Sequence, residues 1–169
     1  TGVNISVSVA HWTTVNISVG IVTSACTCTS ISIIVIISHW PTVNVLVHVG
    51  LCSSINVVVI VGHCTTVNVI ISINVGARTG VLVDVGHCTR VDVVIVIRHC
   101  ATVNVVIVVG HCTIISICIN IGHCTGCGIN VGICVGTCAG HWGIVNIGYS
   151  TTIDVVYCAG TIASTVCIN

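Results

Sequence analysis

An all-β fold is predicted, in the form of a flattened parallel β-solenoid of twelve-residue repeats with two strands per coil and two packed sheets. Three observations predict it: a recurring dozen-residue unit, strict Val/Ile alternation inside each unit, and a composition stripped of helix formers. The 169 residues include no Phe, Met, Lys, Glu or Gln, are 55% hydrophobic and only 3% aromatic, and carry three charges of each sign. Val, Ile and Thr, which fill their place, are stiff at χ1 and favour a pleated strand over a helix.

The unit comes first. His63-Cys64-Thr65-Thr66-Val67-Asn68-Val69 recurs as His87-Cys88-Thr89-Arg90-Val91-Asp92-Val93, as His99-Cys100-Ala101-Thr102-Val103-Asn104-Val105 and as His111-Cys112-Thr113-Ile114-Ile115-Ser116-Ile117. Weaker copies begin at His11, Thr27, His39, Leu51, Ala77, His123 and Thr137, and at twelve residues each about 13 units cover nearly the whole chain. A single repeat domain over residues 1–169 follows, with no linker. Residues 151–169 depart from the consensus and carry Tyr157, Cys158 and Cys167, which predicts a stapled cap.

Within each unit the fifth, seventh, ninth and eleventh places are Val or Ile, as in Val43, Val45, Val47 and Val49 or Ile115, Ile117, Ile119 and Ile121. This period of two marks a strand with one tightly specified face. The places between vary: Asn44, Leu46 and His48 in one copy, Ser116, Cys118 and Asn120 in another. Gly50, Gly62, Gly86, Gly110 and Gly122 end the strands and are expected to turn corners through positive φ.

Twelve residues at about 3.3 Å each give a circuit near 40 Å, too short for a strand, its return and two corners. Two units per coil solve this, giving roughly seven coils with rungs about 4.8 Å apart and sheets about 10 Å apart. Equivalent residues would then stack, with Asn ladders from Asn44 to Asn68 and from Asn56 to Asn104. An antiparallel meander closed into a barrel is the competing topology.

Fourteen cysteines, about 8% of the chain, suggest an oxidising, secreted setting with disulfides. Thr1 to Ala10 lacks a signal-peptide pattern, which suggests a mature chain. Zero net charge offers nothing to nucleic acid, and no apolar run reaches membrane-helix length, so neither nucleic acid nor membrane insertion is expected.

His-Cys suggests a metal ligand pair, but neighbours on a strand point to opposite sides and cannot chelate one ion together. Trp12, Trp40 and Trp142 replace Cys at the second place, which fits an inward space-filler. No metal and no cofactor are therefore expected. His63, His87, His99, His111 and His123 should form corner ladders that repel one another on protonation. Asp84, Asp92 and Asp154 are the only carboxylates, and two of them hold the Asn place, so the chain is not read as an enzyme.

Thr27-Cys28-Thr29, with the His-Cys-Thr copies in phase, resembles the Thr-Cys-Thr of the twelve-residue repeats in beetle antifreeze proteins, small secreted Cys-rich β-solenoids that bind ice through ranks of Thr. The four spaced β-branched residues per strand are similar to the longhorn-beetle form, a flattened solenoid with Thr where this chain has Val. The resemblance implies a non-catalytic protein binding ice or another ordered surface through Thr13, Thr27, Thr29, Thr65, Thr79, Thr89, Thr113 and Thr125, a rank broken by Pro41 and Ala101. A second implied rank comprises Val43, Val45, Val47, Val49, Val67, Val69, Ile71, Val91, Val93 and Ile95, should one sheet turn that face outward. The alternative function is a self-assembling structural or adhesive extracellular fibre, joined through open sheet edges.

Overall fold

A computed structural model describes residues 2–10, 14–21, 29–124, 129–136, 138–149, 153–159 and 164–168. Its elements are all strands: β1 (Gly2–Val9), β2 (Thr14–Ile21), β3 (Ser30–Ile37), β4 (Trp40–Val61), β5 (Cys64–Val85), β6 (Cys88–Val109), β7 (Cys112–Cys124), β8 (Ile129–Val135), β9 (Cys138–Tyr149), β10 (Ile153–Ala159) and β11 (Ser164–Ile168). Every pairing between them is parallel, which removes the meander and leaves a parallel β-solenoid.

The register repeats at two units. Cys88 lies over Cys64 and Cys112 over Cys88, and Asn68 bonds Asn44 across a separation of 24 residues. Face 1 is the succession of β1, β3, the second halves of β4, β5 and β6, then β8 and β10. Face 2 is β2, the first halves of β4, β5 and β6, then β7, β9 and β11. The residues of 151–169 that the structure describes, β10 and β11, add one more parallel rung to each face.

About five turns, from β3 to β9, enclose the dry interior. Ile31, Ile33, Val35, Val43, Val67, Ile71, Val91, Ile95, Val105 and Ile107 all lie there, fully buried. Each such side chain contributes about 1.5–3 kcal/mol by leaving water, so the alternation read in the sequence is the source of the fold's stability. In the first rung Val3, Ile5, Val7 and Val9 are only half-buried, because no rung lies beyond them among the described residues.

The second rank of candidate binding residues is corrected here. Val43, Val45, Val47, Val49, Val67, Val69, Ile71, Val91, Val93 and Ile95 face the interior, since turning any of these rows outward would expose the zipper that holds the sheets together.

The corners also differ from expectation. The corner leading from face 1 to face 2 breaks the strand at residues 62–63, 86–87 and 110–111, whereas the opposite corner bends without breaking it. Hence β4, β5 and β6 each run 22 residues around that gentler bend. Glycine serves the sharp corner by allowing close approach of backbones rather than by positive φ. A Cβ on Gly86 would sit 2.9 Å from the Gly62 carbonyl oxygen, and one on Gly110 would sit 2.9 Å from that of Gly86. The amides of Gly62, Gly86 and Gly110 then donate to Ile37, Val61 and Val85 at 2.8 Å, tying each corner to the rung before. Among the described non-glycine residues positive φ occurs at His39.

Candidate functional site

The sharp corner stacks like residues in columns. Because strand neighbours alternate sides, the first-place His points to solvent and the second-place Cys points inward. The imidazoles of His39, His63, His87 and His111 form one stack, with centroid separations of 5.1, 4.9 and 4.8 Å. His99 and His123, in register with each other, belong to the gentler corner.

Beneath the sharp corner, Cys64, Cys88 and Cys112 form a buried column. Among the described residues the disulfides expected from cysteine content do not appear: Cys52, Cys64, Cys88, Cys100, Cys112, Cys118 and Cys134 are present as thiols. Directly stacked cysteines fill the corner as small apolar groups. The hydrogen bond to Cys112, together with burial, holds Cys88 far above the ordinary thiol range, and the same bond lowers Cys112. Burial also raises Cys100, partly offset by its contact with Thr79. Among the described residues no group of three or more His, Cys or Asp is placed to hold a metal ion.

The candidate threonines other than Thr79 divide into three sets. Thr65, Thr89 and Thr113 are exposed and stand one above another, between the register pairs that join Cys64 to Cys88 to Cys112 and Thr66 to Arg90 to Ile114. Thr29 is exposed on the other corner, where Ser53, Ala77 and Ala101 follow it. Thr13, Thr27 and Thr125 lie outside the described residues.

Thr79 is the correction. It pairs with Ile55, a fifth-place residue, and is only 3% exposed. Its hydroxyl lies 3.1 Å from Cys100 Sγ and 3.1 Å from where a Cβ on Gly76 would be. Gly76 occupies a second place, in register with Cys52 and Cys100, so the Thr79 hydroxyl fills space that a cysteine takes in neighbouring coils.

A fourth-place column, exposed at Thr14 and half-buried at Thr42 and Thr66, stands beside the exposed rank. Thr14, Thr42 and Thr66 are in register on face 2, beside the ladder in which Asn44 Nδ2 donates to Asn16 Oδ1 and Asn68 Nδ2 donates to Asn44 Oδ1, both at 2.8 Å. The doubled Thr of His-Cys-Thr-Thr-Val-Asn was the sequence signal for this column. The ladder expected from Asn56 to Asn104 is interrupted: Gly80 lies between them, and Asn56 Oδ1 sits 2.9 Å from where its Cβ would be. Arg90 Nε donates to Asp92 Oδ2 at 2.9 Å on face 2, while Arg78 and Asp84 share a rung of face 1.

The chain matches no family model, no curated protein and no solved structure.

Proposed function

We propose that this protein is a non-catalytic, extracellular binder of a flat, ordered surface, with ice as that surface. The observation that carries the reading is the column of Thr14, Thr42 and Thr66 continued by the column of Thr65, Thr89 and Thr113, the two meeting at the rung that holds both Thr65 and Thr66, so that five successive rungs each present a hydroxyl. Such a rank repeats at about 4.8 Å and is fixed by the sheet before any contact is made. Preorganisation of this kind spares the entropy that a flexible surface loses on binding. The Asn16–Asn44–Asn68 ladder reinforces it, since each amide is held by the one before.

Thermal hysteresis and ice-crystal faceting test the proposal. The wild type is expected to halt ice growth over a measurable temperature gap, and Thr66→Tyr to lose most of that gap with its circular dichroism unchanged. Absence of both hysteresis and faceting in monodisperse wild-type protein overturns the reading. The second reading, a fibre joined through rung edges, is favoured by the outward edges of β1 and β10, which have no strand partner among the described residues. Filaments without hysteresis would establish it instead.

A further inference from the structure

Each face carries a shallow groove between its sixth-place and eighth-place columns. On face 1 the groove, of about 430 Å³, runs between Asn56, Gly80 and Asn104 on one side and Val58, Leu82 and Val106 on the other. Beyond it, Ile36, Ile60 and Val108 remain 40%, 36% and 37% exposed. Apolar rows of this extent mark an interaction site.

The charges on face 1 identify the occupant. Arg78 and Asp84 stand at the fourth and tenth places of one rung, about 20 Å apart at 3.3 Å per residue. Among the described residues neither forms an ion pair. A twofold axis parallel to the stacking direction and passing over Val81 keeps the rungs level and reverses the strands. Arg78 then faces the partner's Asp84, and Asp84 the partner's Arg78. The same operation sets Leu82 over the partner's Gly80, and likewise sets Val58 and Val106 over the partner's Asn56 and Asn104. At this rung the large Leu82 therefore meets the small Gly80, and each cation meets an anion.

We propose that face 1 is the contact surface of a closed face-to-face homodimer, its occupant a second copy of this chain. Strands of about 26 Å on five rungs spanning about 24 Å offer roughly 600 Å² in projection per copy, close to the roughly 800 Å² per partner of a standard stable interface. Self-complementarity under a twofold axis is the requirement for an isologous dimer, and face 1 meets it. Face 2 does not. There Asp92 already accepts from Arg90, and the same operation about Val93 would set Arg90 against Val96 and Asp92 against Val94. The dimer uses a sheet face and leaves both rung edges and the threonine rank free, so it is separate from the ice and fibre readings.

Sedimentation velocity over a concentration series tests the proposal. The wild type is expected to be a dimer at micromolar concentration. Arg78→Asp and Asp84→Arg each set like charges against one another and should raise the dissociation constant at least about tenfold. The double reversal Arg78→Asp/Asp84→Arg restores opposite pairs and should return the constant to within about threefold of wild type. Leu82→Asn should weaken the dimer with far-UV circular dichroism unchanged. A wild type that stays monomeric, associates beyond a dimer, or is indifferent to the single reversals overturns the proposal. Failure of the double reversal to restore association does so equally.

Discussion

The two faces of this coil share an interior and differ outside. Inward, both present Val and Ile at alternate places, and the rows are equally dry. Outward, face 2 satisfies its own polar groups: the Asn16–Asn44–Asn68 ladder runs along it, and Arg90 pairs with Asp92 within its rung. Face 1 leaves its polar groups apart, with Gly80 interrupting the Asn column and Arg78 and Asp84 at opposite ends of a rung. The repeat constrains every second residue and leaves the others free, so one scaffold can carry a self-contained surface on one side and a surface open to a partner on the other.

The shared interior makes the largest prediction. Ile71 on face 2 and Ile107 on face 1 both occupy ninth places and are 0% exposed. Ile71→Ala and Ile107→Ala should each lose about 2–5 kcal/mol in urea unfolding, through lost transfer energy and the cavity left behind. The two losses should agree to within about 1 kcal/mol, and a wider gap would break the equivalence of the two interiors.

The outward columns come next, and here the faces should separate. Asn44→Ala removes the acceptor for Asn68 Nδ2 and the donor to Asn16 Oδ1, and is expected to cost about 1–2 kcal/mol. Asn56→Ala, whose next rung offers only Gly80, should cost under about 0.5 kcal/mol. Equal costs would mean that the ladder adds nothing to stability.

Particular residues show how far the sequence could be read. The burial of Val43, Val45, Val47 and Val49 follows from period-two alternation alone, because a strand has only two sides. The stacking of His63 on His87 follows from the two-unit coil. Thr79 was misplaced because Ala77-Arg78-Thr79 looks like a first-to-third-place triplet. Counting 24 residues from Ile55 puts it at the fifth place, with Gly76 at the cysteine position. Corner glycines were legible as corners, but their reason was not: the close approach of Gly86 to the Gly62 carbonyl exists only between rungs. Disulfides were expected because cysteine content reports on compartment, whereas the state of Cys64, Cys88 and Cys112 depends on packing geometry. The charge pattern of face 1 needed the register, since nothing in the local sequence relates Arg78 to Asp84.

The corners extend the comparison and give a smaller effect. The sharp corner stacks His39, His63, His87 and His111, while the gentler one begins with Leu51 and Val75 at the same place and reaches His only at His99 and His123. Stacked rings at about 5 Å attract one another beyond the area they cover, by about 0.5–1.5 kcal/mol per pair. His63→Leu removes the contacts to both His39 and His87, and at this exposed corner it should cost about 0.5–1 kcal/mol in urea unfolding. No loss in the variant would show that the stacked rings add nothing to stability.

The smallest effect concerns the end of the face 2 ladder. Asp92 follows Asn68 in register but has no amide to donate, so the Asn sequence of bonds stops at Asn68 Oδ1. In exchange Asp92 accepts from Arg90, whose side chain is 58% exposed. An ion pair so open to solvent is screened and contributes about 0–1 kcal/mol. Asp92→Asn would remove that pair and add one more amide bond, itself a net contribution of about 0.5–1.5 kcal/mol. The two terms nearly cancel, so the variant should match the wild type to within about 0.5 kcal/mol at low salt and gain on it slightly in high salt, where screening weakens the ion pair and leaves the amide bond intact. A loss above about 1 kcal/mol would mean that face 2 is held by its charges more than by its ladder.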